Sequence, residues 1–341
     1  MTYMNKEYRK EKFAELEKTV KKDYSNIAGM VVQKDGKMLY ENYFNDCTAH
    51  SRIHVCSVTK SIISILIGIA IDKGYIESVN RKVLDYFPDY VVKGREKTIQ
   101  NVTLENLLTM TAPYKYRFAP YRKYFASEDY VKFSLDALGG REKKEKFRYA
   151  PLIGPDILSG ILVKATGRSV FEFAEEYLFL PLEIDVKNNL VFHNKEEQLA
   201  FYQSRSISGW VSDSKGFNTA GWGLTLTPVE MARIGQLYLD KGRWKGKQIV
   251  SEKWVDESTK EHSRWEKEGL PYGYLWWISN DRESGFAAMG DGGNIIYVNT
   301  EKRMVISIAS FPVRRVKDRI EFIKKYVEPV FENCTDDKQY K

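Results

Sequence analysis

Histidine is scarce in this chain: His50, His54, His193 and His262 are the only four among 341 residues. None sits in a recognisable catalytic arrangement and no carboxylates gather at ligand spacing, so a hydrolytic metal centre has no visible basis. A Gly-x-Ser-x-Gly elbow is also missing, which removes the usual setting for a serine–histidine–acid triad. Cysteine is rarer still. Cys47, Cys56 and Cys334 are odd in number and lack metal spacing, as expected of reduced thiols in a cytoplasmic protein. Long apolar runs are lacking too: the most apolar stretch, Ile62 to Ile71, is too short to span a bilayer and reads as a buried helix. The opening Met1 to Lys12 has no apolar run and carries acids, so no export signal is expected. Charge of one sign is not concentrated either. The 53 Lys and Arg against 46 Asp and Glu leave +7, spread along the chain with no basic arm, so neither nucleic acid nor a membrane is an expected partner.

What the chain does have is material for a core, 43% apolar and 13% aromatic residues, on a length suited to one large unit or two closely packed lobes. Phe13, Leu16 and Val20 share one face of a helix over 7–23. Two β-prone runs, Ile27 to Val32 and Met38 to Phe44, flank Asp35-Gly36, a hairpin signal. Near the other end, strands are expected over 272–279, 285–289, 294–299 and 303–311, then an amphipathic helix over 315–332 through Val316, Ile320, Ile323 and Val327. The intervening chain reads as mostly helical, at 61–74, 103–110, 155–166, 170–179 and 228–241. Its charged run Arg141 to Lys146 is expected to be a solvated linker. These pieces describe an α+β protein: an antiparallel sheet made from both chain ends, terminal helices flanking it, and a helical lobe inserted between.

Two Ser-x-x-Lys sequences occur. Ser212 to Lys215 sits in a polar stretch leading to Gly216 and reads as a loop. Ser57-Val58-Thr59-Lys60 instead opens the apolar helix, where free N–H groups and the dipole favour developing negative charge. The i, i+3 spacing places Lys60 on the face of Ser57. Burial of so apolar a helix lowers an ammonium pKa and makes Lys60 a candidate proton acceptor for the Ser57 hydroxyl. The bland alternative is a Ser cap and a Lys that reaches solvent.

The stretch from Ser57 to Glu77, with Val83-Leu-Asp-Tyr-Phe-Pro88 and Thr103 to Thr111 after it, resembles the class C β-lactamase-related serine hydrolases, a superfamily shared with penicillin-binding proteins. The resemblance runs from about 27 to 311 and is nearest in style to the 6-aminohexanoate-dimer hydrolase branch. It implies a β-lactamase/transpeptidase-like fold, one unit over 1–341, with an α/β lobe from about 1–56 and 225–335 and a helical lobe over about 57–224. It also implies Ser57 as nucleophile, Lys60 as its base and Tyr149, in Phe147-Arg148-Tyr149-Ala150-Pro151, as a second proton carrier. Gly290-Asp291-Gly292-Gly293 matches the strand motif whose backbone helps to form the oxyanion hole, with Gly290 and Asp291 as the residues facing the substrate. No cofactor is implied, and the partner is a small ester or amide. Two departures stand out: Pro151, where relatives often carry an amide or hydroxyl side chain, and Asp291, where a basic residue is usual. Both also suit a rival reading, a binding protein that kept the cleft and lost turnover; a β-lactamase or D-alanyl-D-alanine carboxypeptidase is a further alternative.

Overall fold

The structure is a computed structural model describing residues 6–93, 97–140, 146–280 and 285–332. The linker stretch 141–145 and Cys334 lie outside the described residues, as do Met1 to Asn5. Strands β1 (Ile27–Lys34) and β2 (Lys37–Tyr43) form the N-terminal hairpin, with Asp35 and Gly36 at φ of 49° and 74° in the left-handed region that this turn requires. The other strands of the main sheet are β3 (Ser263–Trp265), β4 (Leu270–Tyr272), β5 (Trp277–Ile278), β6 (Gly285–Gly290), β7 (Asn294–Asn299) and β8 (Met304–Ser310). They join β1 and β2 in one eight-stranded sheet, order β2-β1-β8-β7-β6-β5-β4-β3, with every neighbouring pair antiparallel.

Alternation along the central strands divides their side chains between two cores. Ile295 and Tyr297 of β7 and Met304, Ile306 and Ile308 of β8 point to the outer face. There they meet Leu16 and Val20 of helix α1 (Lys6–Asp23) and Phe322, Ile323, Val327 and Phe331 near the chain's end. Ile296, Val298, Val305 and Ala309 point inward, to the larger core that contains α2 (Val58–Asp72). Because both faces are covered, these strands read as continuous apolar runs.

Two expectations need correction. The aromatic run 272–279 is a hairpin corner between β4 and β5: Tyr272 pairs with Trp277, the Gly273 N–H donates to Trp276 O at 2.8 Å, and Leu275 takes φ of 63°. Burial of Tyr272, Tyr274 and Trp276 gives this corner the composition of a strand. The last helical segment begins only at Arg319, where Asp318 caps it by accepting from the Ile320 and Glu321 N–H groups at 2.7 and 3.0 Å. Val316 therefore precedes the helix and is 44% exposed rather than part of its apolar face.

Candidate active site

Helix α2 is held by its own composition. Ile62, Ile63, Ile65, Leu66, Ile67 and Ile69 of α2 are fully buried, each contributing about 1.5–3 kcal/mol. Before it, Ile53 and His54 pair with Leu226 and Thr225, and Cys56 takes φ of 52°, so the chain turns sharply into the helix. Ser57 stands at that turn as the residue before Val58. Its side chain makes no capping bond, so the hydroxyl is not consumed by the helix end. The Ser57 N–H has no acceptor among the described residues.

One turn on, Lys60 is 1% exposed and does not reach solvent. Its Nζ donates to Pro151 O at 2.7 Å and to Gly221 O at 2.9 Å, and lies 2.9 Å from Ser57 Oγ. Burial lowers the ammonium from 10.5 to about 7, against the carboxylates of Asp291 and Asp156, which act to raise it. That shift costs about 5 kcal/mol of stability below pH 7, where the unfolded chain and the folded site both hold the proton. The sign follows from the depressed value: between about 7 and 10.5 the unfolded chain binds more protons, so the cost is relieved as pH rises. The apolar burial of α2 outweighs it.

Tyr149 is half-buried beside Ser57, with the Lys60 ammonium 5.2 Å from its ring centroid and Trp277 5.6 Å away, centroid to centroid. Burial pushes its phenol up to about 12, opposed by a hydrogen bond with Ser57 and reinforced by Asp291. The phenol therefore keeps its proton at neutral pH. Pro151 contributes its carbonyl where a side-chain donor was looked for, and that carbonyl helps to hold Lys60.

Gly290 closes the other side. A Cβ there would stand 2.4 Å from Val55 O and 3.0 Å from Ser57 N, so only glycine lets β6 come this close to the turn that carries Ser57. Asn294, buried, bridges the same gap, donating to Asp291 O at 2.7 Å and to His54 O at 3.4 Å. Asp291 is exposed, and its charge acts to raise Lys60, Tyr149, Cys56, Tyr121 and Tyr202.

The second Ser-x-x-Lys is the loop expected: Lys215 pairs with Asp129 at 2.9 Å. Cys56 has a neighbouring histidine. His54 Nδ1 lies 3.6 Å from the thiol. Burial lowers that imidazole to about 3, and Nε2 accepts the Gly223 N–H at 3.0 Å, so the proton sits on Nδ1 and His54 is no base for sulfur. Burial also pushes the Cys56 thiol up to about 12. Among the described residues no group of His, Cys, Asp and Glu is placed to hold a metal, and no helix is long and apolar enough to cross a membrane.

A β-lactamase family model matches residues 15–319, and the chain belongs to that family. This makes it a β-lactamase-related serine hydrolase. It is 22% identical over 305 residues to the 6-aminohexanoate-dimer hydrolase of Paenarthrobacter ureafaciens, covering 83% of this chain and 72% of that protein. Among solved structures, a family VIII carboxylesterase superposes with a TM-score of 0.70 at 16% identity, covering 96% of this chain and 98% of the other. An octameric penicillin-binding protein homologue from Pyrococcus abyssi gives 0.69 at 18% identity, over 94% and 80%. The likeness to these structures fixes the fold: a β-lactamase/transpeptidase-like sheet with helices.

Proposed function

We propose that the chain hydrolyses an ester or amide of a small substrate through an acyl-enzyme on Ser57. The observation that carries this reading is the set of partners around Lys60 Nζ. A neutral amine has two N–H groups and one lone pair. Two carbonyls, which can only accept, take the two N–H groups, so the lone pair is left for the third neighbour, the Ser57 hydroxyl. With the ammonium lowered to about 7, that neutral form is well populated at physiological pH.

In the scheme, Ser57 Oγ bonds to the substrate carbonyl carbon while its proton passes to Lys60 Nζ. The carbonyl oxygen becomes an oxyanion beside the Ser57 N–H and the backbone at Gly290. As the intermediate collapses, Tyr149 gives its proton to the leaving group and recovers one from the Lys60 ammonium. Water then attacks the acyl carbon; its proton returns through Lys60 and Tyr149 to Ser57 Oγ, and the acid leaves. The names of the relatives, a dimer hydrolase and a carboxylesterase, support amide and ester substrates. We take the cleft to lie between the sheet lobe (about 1–56 and 225–335), which supplies Gly290, and the helical lobe (about 57–224), which supplies Tyr149. The free thiols Cys47 and Cys56 fit a cytoplasmic setting. Ser57→Ala should abolish hydrolysis of p-nitrophenyl butyrate in a folded protein. Wild-type turnover in that variant would refute the nucleophile and favour a binding protein.

A further inference from the structure

Behind Lys60 lies a carboxylate that the acyl-transfer scheme leaves without a task. Asp156 opens helix α3 (Asp156–Thr166), directly after the loop that carries Pro151, and is 1% exposed. Both of its oxygens are engaged. Oδ1 accepts from the Ala220 N–H at 2.8 Å, and Oδ2 from the Tyr124 hydroxyl at 2.7 Å. Ala220 precedes Gly221, whose carbonyl accepts from Lys60 Nζ. A Cβ at Gly221 would stand 2.6 Å from Pro151 O, so the two loops that supply the Lys60 acceptors lie in direct contact. Asp156 is tied to both: to one by its hydrogen bond, to the other by the chain.

We propose that Asp156 is a positioning residue for Lys60, fixing the Ala220–Gly221 segment that aims Nζ at Ser57 and stabilising the ammonium form by its charge. This rests on Lys60 serving as the base. A buried carboxylate doing only structural work would need only its two donors; here the charge also reaches Lys60. Burial raises the Asp156 carboxyl to about 6, with the Tyr124 hydroxyl and the Ala220 N–H opposing the rise, so it is ionised over most of the range in which Lys60 titrates. Asp213 also raises it and Lys60 lowers it, and Tyr130, stacked on Tyr124 at 4.4 Å, and Tyr114 also face it. Lys60 is faced by Ser57, Tyr149, Cys56 and Asp291 besides.

The sign follows directly. An ionised Asp156 favours the ammonium and delays its deprotonation on the way up in pH. Asp156→Asn keeps the shape and removes the charge, so the acid limb of kcat/KM for p-nitrophenyl butyrate should move to lower pH, by less than about one unit because the two groups are not in contact. Tyr124→Phe removes a hydrogen bond that favours the carboxylate and should move the limb the same way by less. It serves if the Asn variant does not fold. Asp156→Ala leaves the buried Ala220 N–H without its acceptor and should lower the plateau kcat as well. If the wild type has no acid limb near pH 7, or Lys60→Ala keeps its turnover, the base assignment fails and this inference with it. If limb and Lys60 dependence are present but neither Asp156→Asn nor Tyr124→Phe moves the limb, the Asp156 role alone is overturned.

Discussion

A single methyl group at position 290 tests how the oxyanion is held. Gly290 has φ −135° and ψ 157°, extended backbone open to any residue, so Gly290→Ala introduces no conformational strain of its own. Its effect is spatial. The new Cβ would lie 2.4 Å from Val55 O, 3.0 Å from Ser57 N and 3.2 Å from Cys56 Cβ. Neither the Val55 carbonyl nor the Ser57 N–H belongs to a flexible side chain, so β6 and the nucleophile turn must separate, by at least about half an ångström before the closest contact is tolerable. Overpacking of this kind costs about 1–3 kcal/mol of stability. The catalytic loss should be larger. Oxyanion donors work at about 2.7–3.1 Å, and losing one costs about 10²–10³ in kcat. We therefore expect Gly290→Ala to fold with a lowered Tm and to lose about a hundredfold or more in kcat on p-nitrophenyl butyrate, with a smaller change in KM. Circular dichroism and steady-state kinetics on the same preparation separate the two effects. An Ala variant with wild-type kcat would show that the close approach of β6 to Ser57 plays no part in catalysis.

Three further outcomes follow from the same geometry. Tyr149→Phe should lose about 10²–10⁴-fold on amides, whose leaving group needs a proton, and much less on nitrophenyl esters; equal losses on both would make Tyr149 structural. Asp291 should disfavour a substrate carboxylate, by at most about 4 kcal/mol at contact and less in salt, so nitrocefin should turn over poorly and Asp291→Asn should narrow the gap in kcat/KM between neutral and carboxylate-bearing esters. Efficient nitrocefin hydrolysis, or an Asn variant with the same preference, would contradict this. Arg52 makes bonds of 2.7 and 3.1 Å to the buried Glu230 carboxylate, which also accepts from the Asp185 and Thr227 N–H groups. Arg52→Met strands that charge and should cost about 3–5 kcal/mol in denaturant unfolding; a loss under about 1 kcal/mol would mean the pair is dispensable.

How much of this was legible in the sequence varies with the physics involved. The juxtaposition of Ser57 and Lys60 was visible because two local signals coincide there, a helix start and an apolar helix behind it, whereas their roles as nucleophile and base were implied only by the family resemblance. The N- and C-terminal strands were visible because alternation and turn residues are local as well. The corner at 273–276 was not, since burial gives a turn the same aromatic composition as a strand. Lys60's acceptors were invisible for another reason. Pro151 and Gly221 act through backbone carbonyls, which carry no residue-type signature, and they come from loops 70 residues apart in the chain. Asp156 did leave a trace, an acid heading the apolar run Asp156 to Leu162 just after the Tyr149 motif, but its partners Tyr124 and Ala220 meet it only in the folded chain. Asn294 likewise sits beside a recognisable glycine motif, and its bridge to His54 O exists only in three dimensions.

The pairing of Ser57 with a Lys60 that loses its proton near pH 7 is tested most directly by the pH dependence of fluorophosphonate labelling, followed by intact mass and peptide mapping. The reagent reacts with an activated serine and needs no substrate turnover. We expect one adduct per chain, on Ser57, forming at a rate that rises through about pH 7 as the ammonium loses its proton, and no adduct in Lys60→Ala. An adduct on another residue, or labelling of Ser57 at the same rate in Lys60→Ala, would contradict the pairing.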